Sequence, residues 1–132
     1  MSEIKHWAGF DFDGTLVEYP KSGQRYGKDN EKVIGIFKYF MDHGITVKVV
    51  TARAAYPEMR QVIQSWLDAH GWGHIEITDK KDYGMLVLFD DLAITIDSKS
   101  GEIATDMGVA NNILARLNIT LAAREESHEP VN

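Results

Sequence analysis

At 132 residues the chain is long enough to bury one hydrophobic core and too short for two, so one active site is the most it accommodates. Hydrophobic residues at 44% and charged residues at 26% are ordinary globular values and exclude a fibrous or wholly disordered chain. The formal charge of −6 argues against a broad basic face for nucleic acid but not against a local phosphate pocket, and the absence of cysteine excludes a disulfide framework and a thiolate metal site.

The opening residues, MSEIKH, lack a basic-then-apolar pattern, and no apolar run is long enough to span a bilayer, so the expectation is a soluble cytoplasmic protein with no membrane partner. The first apolar run, WAGF, breaks into Asp11, Asp13 and a glycine turn. Residues 17–29, rich in Gly, Pro and charge, read as a loop or short flap. From Asn30 a helix is predicted, with Val33, Phe37, Phe40 and Met41 at helical spacing, a cap at Asp29 or Asn30 and a stop at Gly44.

ITVKVVT then reads as a buried strand. The second helix is expected to start at Pro57, to set Met59, Val62, Ile63, Trp66 and Leu67 on one face and to end at Gly71. A weak strand follows at His74 to Ile77, and MLVLFDD gives an apolar strand ending in Asp90 and Asp91. AITIDSKSGE reads as a strand and tight turn, and a last helix begins near Thr105 with Val109, Ile113, Leu114 and Leu117 inward. Residues 123–132 have little to bury and are expected to form a mobile tail.

Alternation of apolar strands with helices predicts an α/β fold. The expected form is a three-layer, Rossmann-like arrangement with a mostly parallel sheet covered by helices on both sides, a single domain over residues 1–122 and no large cap domain. Ligands in such sheets bind beyond the carboxyl ends of the strands. Three apolar runs end there in chemically capable groups: Asp11 and Asp13, Thr51 and Arg53, and Asp90 and Asp91. Lys80 and Lys81 precede the third run. Four carboxylates at one rim raise one another's pKa unless a cation joins them. Oxygen ligands without Cys or organised His select Mg2+, which characteristically keeps waters and takes on a substrate phosphate.

DFDGT after a buried strand, the Thr of VVTAR, a Lys in DKKDYG and the acidic pair of VLFDD resemble the four ordered motifs of the haloacid-dehalogenase-like superfamily, over residues 7–97. KDYGMLVLFDDLAI followed by SKSGE is similar to its small phosphatase-like members from bacteria and their viruses. The resemblance implies Mg2+-dependent hydrolysis of a phosphomonoester through an aspartyl-phosphate, with Asp11 as nucleophile and Asp13 as general acid/base. It further implies phosphate contacts from the turn residues Phe12, Gly14 and Thr15 and from Thr51, Ala52 and Arg53, with charge neutralised by Lys81 or Lys80. Lys81 is favoured because it lies nearer the turn feeding the next strand. Asp11, the main-chain carbonyl of Asp13, Asp90 and Asp91 would hold the metal. The implied partner is a small phosphorylated compound: a sugar phosphate, a nucleotide or a terminal nucleic-acid phosphate.

Blander readings stand beside these. Asp11 and Asp13 suit a solvated turn, Thr51 a strand-end cap, and Tyr19, Lys21 and Arg25 an ordinary loop. His70 and His74 are separated by glycines and share no helix face, so they are not expected to bind metal. A non-enzymatic module of the same fold is one competitor. A receiver-like signalling domain is another, disfavoured because its phosphorylated Asp would follow a middle strand, where this chain has Thr51.

Overall fold

The structure, a computed structural model, describes residues 3–121. The expected tail, 123–132, and residue 122 of the expected domain lie outside the described residues. The chain divides into two compact units between Asp91 and Leu92.

The first unit is α/β, with strands β1 (Trp7–Phe10), β2 (Val47–Val50), β3 (Glu76–Thr78) and β4 (Met85–Phe89) and helices α1 (Glu31–Asp42) and α2 (Pro57–Ala69). The four strands form one all-parallel sheet in the order β3-β2-β1-β4. Short β-branched and aromatic runs make the strands. Pro57 opens α2 at a position whose N–H needs no partner, as the sequence predicts.

One face of the sheet carries the core. Ala8, Phe10, Val47, Val49, Ile75 and Ile77 pack in one cluster with Ile34 and Phe37 of α1 and Ile63, Trp66 and Leu67 of α2. Phe10 stacks on Phe89 and meets Phe37 edge-on, at 4.5 and 4.9 Å between centroids. Each such buried side chain contributes about 1.5–3 kcal/mol of transfer free energy. Both helices of this unit therefore lie on the same face; they supply the β1–β2 and β2–β3 crossovers, and residues 79–84 return the chain to run β4 parallel to β1. That directionality brings the carboxyl ends of β1, β2, β3 and β4 to one rim.

Two details depart from the expected stripes. Met59, expected inward, is 46% exposed. It sits in the first turn of α2. Asp29 does not cap α1; Asn30 takes the N-cap position, and the Asp29 side chain turns to Trp66 and His70 instead.

In the second unit the expected strand after residue 92 is reduced to one antiparallel bridge, Ile96 to Ile103, around a turn held by Asp97 Oδ1, which accepts from the N–H groups of Lys99 and Ser100. Helix α3 (Met107–Leu114) begins at Asp106, whose carboxylate accepts from the Val109 N–H at 3.1 Å. Ala110 is its buried residue, whereas Val109 and Leu117, both expected inward, are exposed. The helix is eight residues long and gives way to a 3₁₀ turn at Ala115–Leu117, so an inward stripe from 109 to 117 has no continuous helix to carry it. Among the described residues no helix is long and apolar enough to cross a membrane.

Candidate functional site

Asp11 follows β1 directly, its N–H bonded to the Phe89 carbonyl of β4 at 2.9 Å. Because β1 and β4 pair in parallel with Phe10 opposite Phe89, the next residues on each strand, Asp11 and Asp90, leave the sheet side by side. Asp11, Asp90 and Asp91 each offer a carboxylate oxygen within 4.8 Å of the others. A groove of about 260 Å³ lined by Gly14, Thr15, Val33, Phe89, Asp90 and Asp91 opens on this cluster.

The electrostatics of the cluster are unfavourable as it stands. Burial, the hydrogen bond with Asp91 and the charge of Asp90 push Asp11 up to about 7, against a smaller opposing pull from the Phe12 N–H. A divalent cation among the three carboxylates would remove that conflict. The donor set, all oxygen, fits a hard ion such as Mg2+.

The turn after β1 is shaped by Gly14, at φ +83°, where a Cβ would collide with the Asp91 carboxylate and the Tyr19 ring. Glycine thus lets the acidic cluster close over the turn. Thr15, buried, holds its hydroxyl at 3.5 Å from Asp11 Oδ2 and 3.4 Å from Asp91 Oδ1, the long limit for a hydrogen bond. Tyr19, in the flap, donates its hydroxyl to Asp91 Oδ2.

The Asp13 side chain is not in the acidic cluster. Arg53 grips it with two hydrogen bonds, Nε to Oδ2 at 2.7 Å and Nη2 to Oδ1 at 2.8 Å. The guanidinium lies 5.6 Å from the centre of the Phe12 ring, and Nη2 also donates to the Arg25 carbonyl of the flap at 2.9 Å. Arg53 is placed by the 3₁₀ turn Ala52–Ala55, whose cap is the Thr51 hydroxyl oxygen, accepting from the Arg53 N–H at 3.1 Å. Arg60, which the sequence did not single out, braces that turn from α2, donating to the carbonyls of Ala54 and Ile77. Only its helical position, one turn into α2, hinted at this role.

Not every expected phosphate contact is open. The Gly14 N–H is bonded to the Val17 carbonyl at 2.7 Å and the Thr15 N–H to the Phe12 carbonyl at 3.1 Å. The N–H groups of Asp13 and Ala52 make no hydrogen bond among the described residues, and they stand at the ends of adjacent strands. The Thr51 hydroxyl hydrogen is likewise uncommitted among the described residues, although the side chain is buried.

Lys80 and Lys81 are exposed, and neither forms an ion pair among the described residues. Lys80 stays at the carboxyl rim, its N–H held by Thr78 Oγ1 at 3.0 Å just past β3. Lys81 precedes Asp82, whose carboxylate is tied by Trp7 Nε1 at 2.9 Å and the Gly84 N–H at 2.8 Å to the amino end of the sheet. His70 and His74 form no metal cluster among the described residues; His70 instead lies 2.9 Å from Asp29 Oδ2.

Comparison with protein-family models, with curated proteins and with solved structures finds no match.

Proposed function

We propose that the protein is a Mg2+-dependent phosphomonoester hydrolase that works through an aspartyl-phosphate, as a small capless member of the haloacid-dehalogenase-like superfamily. The observation that carries this reading is the juxtaposition at one rim of three clustered carboxylates, Asp11, Asp90 and Asp91, with a fourth, Asp13, held apart by Arg53. Two carboxylates from one turn are thereby given different surroundings. Different surroundings are what two different chemical roles require.

Asp11, Asp90 and Asp91 would hold Mg2+, which supplies charge neutralisation at the phosphate when bound. A carboxylate oxygen of Asp11 attacks phosphorus while the bond from phosphorus to the ester oxygen breaks, and Asp13 delivers a proton to that departing oxygen. Water then attacks the same phosphorus, giving its proton to Asp13, and the bond to Asp11 breaks to release phosphate. The sum is an ester plus water giving an alcohol plus inorganic phosphate. The N–H groups of Asp13 and Ala52 and the Thr51 hydroxyl, unengaged among the described residues, are donors suited to the phosphate oxygens. Lys81 or Lys80, both exposed, would supply the cation that neutralises charge on the phosphate.

Phosphate release from a panel of sugar phosphates, nucleotides and aryl phosphates, with and without Mg2+, tests the reading. Turnover by wild type that needs Mg2+ and is lost in Asp11→Asn supports it. Equal inactivity of both proteins across the panel, with no Mg2+ binding, sinks it.

A further inference from the structure

Residues 18–28 form a flap whose base is pinned at both ends. Val17 bridges to Asp29, the Glu18 N–H donates to the Lys28 carbonyl at 2.8 Å, and the Asn30 N–H donates to the Leu16 carbonyl at 2.9 Å. Gly27 permits this closeness, since a Cβ there would strike the Glu18 carbonyl. Asp29 is fixed in turn by Trp66 Nε1 and by His70 Nε2, each at 2.9 Å. Beyond the pinned base, residues 21–25 are exposed.

The flap meets the rim on both sides of the reaction centre. Tyr19 reaches the metal side at Asp91, and the Arg25 carbonyl receives one hydrogen of Arg53 Nη2, whose other hydrogen goes to Asp13. A single planar guanidinium therefore bonds both oxygens of Asp13 and the flap backbone at once, with its side chain only 14% exposed. Lysine, a compact charge without that fork, cannot satisfy three acceptors in one plane.

From this geometry we propose that Arg53 is a positioning residue that couples the flap to Asp13, so that the proton-handling carboxylate is aimed when the flap is down. The proposal rests on the phosphatase reading for the role of Asp13, but the tether itself does not. Amide hydrogen exchange and turnover in wild type, Arg53→Lys and Arg53→Ala separate the two. In Arg53→Ala the amides of residues 21–27 are expected to exchange about tenfold faster while those at the pinned base keep their protection. With Mg2+, kcat/KM for glycerol phosphate, whose alkoxide leaving group needs a proton, is expected to fall about 10²-fold. For p-nitrophenyl phosphate, which leaves without one, the fall should be under about tenfold. Arg53→Lys should be intermediate in both, and it decides the matter if Arg53→Ala does not fold. Unchanged flap exchange overturns the tether, and equal losses on the two esters reduce Arg53 to a structural role. If wild type hydrolyses neither ester, nor any other phosphomonoester, the aiming of Asp13 falls with the phosphatase reading, while the exchange data still decide the tether.

Discussion

Tyr19 donates its hydroxyl to Asp91, so a residue of the flap is bound to one of the three carboxylates of the acidic cluster. Partners that orient a metal-ligating carboxylate are typically worth 10–100-fold in metal affinity. Tyr19→Phe is expected to weaken Mg2+ binding by about tenfold. Isothermal titration of the variant checks this; binding as tight as wild type would show that Asp91 needs no such partner.

Gly14 supports the same contact from below, because its positive φ and missing Cβ leave room for Asp91 and the Tyr19 ring. Gly14→Ala is predicted to cost about 1–3 kcal/mol in strain and displacement. It should also abolish Mg2+ binding. Urea denaturation and metal titration read the two effects, and a variant with wild-type midpoint and affinity would contradict the placement of Asp91 over the turn.

The pH behaviour follows from Asp11, raised from 3.8 to about 7 chiefly by burial and by Asp91 and Asp90. Between those values the folded, metal-free protein binds a proton that the unfolded chain does not, so this group's stabilising contribution is present at low pH and is lost as pH rises through about 7. Mg2+ bound at Asp11, as proposed, would compete with that proton. The melting temperature of the metal-free protein is therefore expected to fall from pH 5 to pH 8, with the gain from added Mg2+ growing across the same window. Asp11→Asn should flatten both trends, and a Mg2+ gain independent of pH would contradict the shared site.

Asp29 serves the scaffold rather than the chemistry. Removing it leaves the indole N–H of Trp66, a residue only 1% exposed, without its acceptor. Asp29→Ala is predicted to destabilise the protein by about 1–3 kcal/mol in urea denaturation. Mg2+ affinity should be unchanged. A variant as stable as wild type, or one that loses the metal, would show that this network has been misread.

The rim was legible because two sequence signals suffice for it. Apolar runs ending in Asp11, Thr51 and Asp90 mark strand ends; helices between β1, β2 and β3 make those strands parallel, and β4 joins them in the same direction after residues 79–84, which puts those ends together. What lay beyond reach was side-chain direction across long separations. Arg53 and Asp13 are 40 residues apart, and nothing in either neighbourhood announces a bidentate pair. Tyr19 sits in an unpatterned flap, so its reach to Asp91 follows only from the backbone path that Gly14 and Gly27 allow. Leu117, expected on the inward stripe of α3, lies past the end of the helix at Leu114, whereas the exposure of Val109 inside the helix has no structural explanation.

The proposed covalent step is open to a direct test. Wild-type protein turning over a phosphomonoester with Mg2+ is quenched in acid, digested and mapped by mass spectrometry, beside Asp11→Asn treated in the same way. A phosphoryl group on the Asp11 peptide of wild type, and none on the variant, is the expected result. Phosphate release with no phosphoryl group on Asp11, or equal release by Asp11→Asn, would contradict the aspartyl-phosphate mechanism.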